Sequence, residues 1–388
     1  MHILVIRIFG SYIDDDVIMK LRHMGHSVED KDFSKLRTDK MYENEKLESA
    51  ISDYLNMTKG DIVYSSNFFP ILGRVCCKCK IPYIAWHYDT PPNLSTEEDM
   101  DYPTNHIFFF NKRDYEHYKG LGLDSVYYLP LAVNTDRIAN LIRKDDSYKA
   151  DVALVGQLYN STFPGLRKEM SEYDKGYFNG ILAAQRELYG VYLPDELIDD
   201  VIMDRVNRSF LEKGCVTKPV TKKQISYSIA TYLTYLDRVS LLNLLSEKHK
   251  TRLYTEKTEK TDRELLKKVE IKGPVDYVSQ MPLVFYNTKI NLCPIFRNNT
   301  EGIPLRALDV MGCRGFLMAN FHPGLAEEFT DGKELVMYHS IEEAVELADY
   351  YIRHEEERIS IIENGFERIL KDYDYVERLR KMIGLTGV

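Results

Sequence analysis

Short, almost fully apolar runs recur along this chain, each followed by a stretch with helical spacing. Residues 2–8 form the first such run and end at Phe9-Gly10. Behind them Val17, Ile18, Leu21 and Met24 share one helical face. A strand reads as a continuous apolar run when both its faces are buried, which happens when helices cover a parallel sheet on each side. The alternation continues with strand-like runs at residues 61–64, 82–87, 107–110 and 126–129 and helical stretches at 69–79 and 112–119. It predicts a doubly wound α/β domain.

The pattern then restarts. Ala150-Asp151-Val152-Ala153-Leu154-Val155-Gly156 repeats the opening: an apolar strand followed by a glycine turn. Two such openings in 388 residues predict two Rossmann-like domains, not one large sheet. Residues from roughly 165 to 247 interrupt the alternation with long amphipathic stretches, which predict a helical insertion in the second domain that packs or shapes an acceptor site. The α/β pattern returns at residue 251 and closes with two charged helices, 341–352 and 355–370. The expected limits are residues 1–135 for the first domain, 136–375 for the second and 376–388 for a tail.

Composition removes several function classes. The 51 Lys and Arg against 60 Asp and Glu give a net charge of −9, which does not fit a protein whose main partner is nucleic acid. No apolar run approaches the about 20 residues that cross a bilayer. The N-terminus enters Ile3-Leu4-Val5-Ile6 without the plan of a secretory signal, so the expected place of work is the cytoplasm. Cys76, Cys77 and Cys79 lie close together, but no Cys or His pair stands at zinc spacing elsewhere. They read as small reduced side chains on a packed helix, with a metal or redox role as the alternative.

The densest chemical signal runs from Cys293 to Asp309. A strand ends, the polar loop Arg297-Asn298-Asn299-Thr300-Glu301-Gly302-Ile303 follows, and a helix starts after Pro304. Proline is tolerated in a first helical turn, and glycine lets the backbone approach a ligand. A helix start offers free N–H groups and partial positive charge to an anion. Arg297 and Arg306 add full charges suited to phosphate. Glu301 and Asp309 are placed to accept hydrogen bonds from sugar or ribose hydroxyls. Open α/β sheets bind ligands at such strand ends.

A second candidate is the loop Trp86-His87-Tyr88-Asp89-Thr90-Pro91-Pro92. His87 reads either as a general base oriented by Asp89 or as a structural histidine at a strand end. The prolines are expected to hold the loop rigid. Gly10 and Gly156, each closing a strand, are candidate close-approach turns to a donor.

The segment from Thr300-Glu301-Gly302-Ile303-Pro304-Leu305-Arg306 through Asp309, then Gly312-Cys313-Arg314-Gly315-Phe316-Leu317 and Pro323-Gly324-Leu325 with Phe329, resembles the CgeB-like (spore maturation) glycosyltransferases. The resemblance extends to Tyr128-Leu129-Pro130-Leu131-Ala132-Val133, to residues 151–156 and to Gly273-Pro274-Val275. It implies the GT-B fold: two facing Rossmann-like domains, with the nucleotide-sugar donor on the C-terminal one and the acceptor against the N-terminal one. It also implies no required metal or other cofactor, most often a UDP-sugar donor, and a last helix that crosses back to the N-terminal domain.

By the same resemblance Glu301 contacts the donor sugar and Asp309, one methylene shorter than the family's glutamate, contacts the ribose. Tyr254 and Val275 fall where the nucleotide base lies. Gln157 follows Gly156 where the larger group often has arginine, which leaves Arg297 and Arg306 to supply the charge. The expected activity is transfer of a hexose-type sugar to an unknown acceptor, with retention favoured by the Glu301/Asp309 spacing. The competing readings are a nucleotide-sugar epimerase or hydrolase and a non-catalytic nucleotide- or glycan-binding scaffold.

Overall fold

The computed structural model describes residues 1–9, 11, 13–36, 44–90 and 98–387. Its strands form two separate parallel sheets. The first contains β1 (His2–Arg7), β2 (Ser27–Asp32), β3 (Ile62–Ser66), β4 (Tyr83–Trp86), β5 (Asn105–Phe109) and β6 (Val126–Tyr128), in the order β2-β1-β3-β4-β5-β6. The second contains β7 (Ala150–Val155), β8 (Thr251–Tyr254), β9 (Glu270–Lys272), β10 (Thr288–Cys293), β11 (Leu317–Asn320) and β12 (Val336–Tyr338), in the order β12-β11-β10-β7-β8-β9. The strand order reverses between β1 and β3 in one sheet and between β7 and β10 in the other. Such switch points leave a crevice at the strands' carboxyl ends.

The central strands are buried along their whole length in β3 and β4, as their apolar runs require. Strand β2 is the exception. Its sequence Ser-Val-Glu-Asp-Lys-Asp is mostly exposed, and charge on an edge strand discourages pairing with another chain. The cysteines expected on a packed helix lie on the helix Pro70–Cys79, where Cys76 is buried, and all six cysteines of the chain are free.

The chain divides into two compact units. The first is Met1–Arg137 with Gly302–Leu308 and Arg368–Val388; the second is Ile138–Glu301 with Asp309–Glu367. Within the first unit, the helix Tyr375–Gly384 packs on the helix Asp14–His23. This helix follows Ile341–Arg353 and Glu355–Asp372 and is one more than the two closing helices read from the sequence. Tyr375, Leu379, Met382 and Ile383 are its buried face, a helical spacing hidden among Glu, Arg and Lys. Tyr375 meets the edge of Trp86 at 5.8 Å, and the buried Lys20 ammonium reaches Asp136 at 2.7 Å and Asp374 at 3.0 Å.

The insertion is helical as expected and carries its own core, with Phe163, Phe178, Ile198, Val206 and Phe210 at its centre. One 25-residue helix, Lys222–Ser246, joins it to the second sheet. Ile225, Ile229 and Leu233 belong to the insertion's core, while Leu241, Leu242 and Leu245 belong to the core under the sheet. Thr221 and Gln224 form a reciprocal cap at its start. Lys20→Ala leaves Asp374 without its cation in a largely buried place. We expect a loss of about 2 kcal/mol, less than a fully buried pair because Asp136 is exposed, read as a lower urea midpoint at unchanged slope.

Candidate functional site

The second unit's switch point is where β7 and β10 part. Strand β10 leaves through a loop tied to β11, with the Ile295 amide donating to Asn320 Oδ1 at 2.6 Å. Two residues on, Arg297 turns inward. Its Nε and Nη2 donate to the two Asp237 carboxylate oxygens at 2.6 and 2.9 Å. Its Nη1 donates to the Gln185 and Leu188 carbonyls at 3.2 and 2.7 Å, and its plane lies 3.8 Å from the centre of the Tyr189 ring. Burial works against the arginine's charge, and Asp237 more than offsets it, so the guanidinium pKa lies above its ordinary value. Arg297 was expected as a catalytic cation; its charge is instead neutralised by Asp237 inside the unit.

The loop then reaches Glu301, whose Oε2 is buried and has no hydrogen-bond partner among the described residues. Buried carboxylate oxygens are normally satisfied, so this one is open to an outside donor. Gly324 makes the arrangement possible: a Cβ there would sit 2.0 Å from the Glu301 carbonyl oxygen. Beside it His322 caps the helix Pro323–Glu328, its Nδ1 accepting the Leu325 N–H at 3.3 Å. The proton is therefore on Nε2, which is buried and faces the Asn299 backbone. Burial pushes the His322 pKa down to about 4, against the opposing pull of the Asn299 backbone. A buried acceptor oxygen of Glu301 and a neutral histidine ring thus flank Gly324.

Asp309, on the helix Leu305–Gly312, is buried and accepts the Tyr277 hydroxyl at 3.0 Å. That contact brings the stretch carrying Val275 to the helix carrying Asp309. Arg306 is half-buried on the first turn of the same helix, after Pro304 and the buried Ile303. Tyr254 ends β8 with its ring buried and its hydroxyl accepting from Arg252 at 3.4 Å.

Sequence reasoning missed Arg238. It stands on the helix Lys222–Ser246 and reaches the switch point, donating from Nη1 to the Gln157 carbonyl and from Nη2 to the Pro294 carbonyl at 2.9 Å. These carbonyls directly follow Gly156, at the end of β7, and Cys293, the last residue of β10. A Cβ on Gly156 would lie 3.2 Å from Arg238 Nη1. The Arg238 Nε is buried and unpartnered. One signal was available: Asp237 and Arg238 are the only charges between Gln224 and Glu247, in an otherwise uncharged helical run.

In the first unit the expected pairing of His87 with Asp89 is not formed. His87 is buried, stacks on Phe109 at 4.6 Å and accepts the Phe68 N–H through Nε2 at 3.3 Å. Its Nδ1 therefore carries the proton, buried and without a partner, and burial pushes its pKa down to about 3. No lone pair is left for a substrate, which corrects the expectation of a general base. Asp89 is held instead by Asn67, at 3.0 Å, and Asn67 accepts the Tyr88 N–H at 3.2 Å. Although the Asp89 side chain is exposed, the protein around it raises its pKa, with Asn67 opposing. Gly302 is buried against Phe110 and Asn111. Gly10, Pro91 and Pro92 lie outside the described residues. Among the described residues, no group of three His, Cys, Asp or Glu is placed to hold a metal ion, and no helix is long and apolar enough to cross a membrane.

Two six-stranded parallel sheets, each wound with helices on this plan, define the GT-B fold. Residues 238–384 match the family model described as "Glycosyl transferase-like", so the C-terminal part of the chain carries a glycosyltransferase-like domain. That match begins at Arg238. The whole chain is similar in fold to a glycosyltransferase from Rickettsia africae, with a TM-score of 0.60, 11% identity and coverage of 99% of this chain and 97% of that one. HepE from Anabaena, crystallised with UDP and glucose, superposes with a TM-score of 0.57 at 9% identity over 100% of this chain and 99% of its own. Sucrose-phosphate synthase from Thermosynechococcus elongatus gives 0.58 at 9% identity over 99% and 98%. No curated protein sequence matches the chain.

Two variants check this geometry. Arg297→Met leaves Asp237 as a buried, unpaired carboxylate and is expected to cost about 3 kcal/mol or more in urea unfolding, with Arg297→Lys failing to restore it. His87 stays neutral in the folded chain down to about pH 3, while the unfolded chain takes up that proton near its ordinary value of 6.5. Stability therefore falls as pH drops through that window. His87→Gln removes up to about 1.4 kcal/mol per pH unit of that slope, and equal slopes in both proteins would contradict the neutral ring.

Proposed function

We propose that this chain is a glycosyltransferase that moves a sugar from a nucleoside diphosphate sugar, with a UDP-sugar favoured, to an acceptor. The observation that carries the reading is the buried Glu301 carboxylate oxygen, which has no hydrogen-bond partner among the described residues and sits on the loop that leaves β10. A hydroxyl-rich donor sugar supplies what that oxygen lacks: a hydroxyl that donates to it. Asp309 takes the ribose, and the backbone around Val275, joined to it through Tyr277, takes the base. HepE, a fold relative, was crystallised with UDP and glucose, the donor class proposed here. Within the glycosyltransferases, the motif from Thr300 to Asp309 favours the CgeB-like group.

When the anomeric bond breaks, negative charge grows on the departing diphosphate. Arg306, the start of the helix Leu305–Gly312 and Arg238 are the cationic groups suited to stabilise it, more in the transition state than in the ground state. The proposed reaction retains configuration and needs no metal: the diphosphate itself takes the acceptor's proton.

UDP at about 100 times its dissociation constant should raise the unfolding free energy by roughly 2.7 kcal/mol without added metal, visible as a melting shift that GDP does not match. Glu301→Gln should keep that shift and lower transfer about 100-fold or more, while Arg306→Ala should weaken the shift itself. Unchanged turnover in Glu301→Gln removes Glu301 from the site.

A further inference from the structure

The second unit contains a cavity of about 350 Å³ beside Arg238. Its walls come from the stretch after β7, from the helix Lys222–Ser246 and from the stretch after β8. Tyr159, Tyr232 and Tyr235 supply aromatic surface, Gln157 and Asn160 supply amides, and Asp262 supplies a carboxylate. None of Tyr254, Val275, Glu301, Arg306 or Asp309 lines it. A volume of this size holds a small organic ligand.

The lining selects the ligand's class. Glu256, Glu259 and Asp262 face the space with Lys257 as the lining cation, so a phosphate group is disfavoured there. Three tyrosine rings with amides and carboxylates suit a neutral molecule that has both C–H faces and many hydroxyls. Rings pack on the C–H face, while amides and carboxylates donate to and accept from hydroxyl pairs. The carboxylate is fixed in advance: Asp262 accepts the Tyr235 hydroxyl at 2.9 Å and the Glu259 N–H at 2.8 Å. Tyr159 is held under strain. Its φ is +68°, a left-handed conformation that a bulky residue rarely adopts. The Arg238 guanidinium, 4.8 Å from the ring centre, and Phe296, at 5.3 Å, hold the ring in place. Strain of this kind survives where neighbours over-determine it, and it gathers at ligand sites.

We infer that this cavity, which adjoins Arg238 through Gln157 and Tyr159, binds a neutral saccharide. That this saccharide is the acceptor, or part of it, rests on the transferase reading; the saccharide assignment itself rests on the lining. The helical insertion then has a role: its long helix brings Tyr232 and Tyr235 to the sheet that carries Gly156.

Saturation-transfer NMR on the full chain, with saturating UDP present, tests the inference. The probes are glucose, galactose, N-acetylglucosamine, maltotriose and cellotriose. At least one should receive saturation at its ring C–H protons. Tyr232→Ala and Asn160→Ala should each cut that signal at least fivefold while the melting shift with UDP is kept. Asn160 is exposed, so its variant stays informative if loss of Tyr232 disturbs folding. Absence of saturation transfer to every probe overturns the assignment. So does displacement of the sugar by uridine, or a signal that survives both substitutions. If UDP produces no melting shift but the saccharide signal depends on Tyr232 and Asn160, the donor reading fails and the cavity assignment stands.

Discussion

Arg297 and Asp237 hold opposite charges almost wholly out of water, and much of the second unit is arranged around them. A charge removed from water costs several kcal/mol unless partners replace the lost solvation. Here the replacement is nearly complete, because the carboxylate takes two guanidinium N–H groups, two backbone carbonyls take more, and Tyr189 covers the face. Those partners come from three parts of the chain: the loop leaving β10, the long helix, and the insertion's stretch from Gln185 to Leu188. Separating any one of them strands a buried charge. The pair therefore fixes the insertion against the loop that, four residues later, presents Glu301.

The neighbouring residue does a different task because of helical geometry. One step along a helix turns a side chain by about 100°. Asp237 faces inward to Arg297, while Arg238 points to the carbonyls at the ends of β7 and β10. It places a cation at the switch point although Gln157, not arginine, follows Gly156. Under the proposed reaction that cation meets the departing diphosphate. Two adjacent charges on one helix thus take different places, one inside the unit and one at the switch point.

The fold was largely legible because burial on both faces leaves apolar runs that cannot be mistaken for surface. The restart at Ala150 marked the second sheet for the same reason. The helix Tyr375–Gly384 escaped notice since its apolar positions are interleaved with charges that solvate its outer face. At the site, Glu301, Gly302 and Asp309 stood out as acid and glycine residues around a helix start, which is a local pattern. Arg297 lay in the same pattern and was misjudged, because nothing local reveals that Asp237, 60 residues earlier, claims its charge. His87 and Asp89 are close in sequence, but the strand end turns one into the core toward Phe109 and the other out toward Asn67.

By itself the sequence determined the two parallel sheets, the position of the helical insertion and the loop where sugar chemistry is expected. These follow from hydrophobic periodicity and from the preferences of glycine, proline and charge at strand ends, all properties of neighbouring residues. Only the tertiary structure decided which charges are available. Arg297 is neutralised, Arg238 is delivered to the switch point, His87 is locked as a neutral ring, and Glu301 keeps an oxygen without a partner. The reason is physical: hydrogen bonding and desolvation act between groups brought together by folding, at separations in sequence that no local pattern encodes.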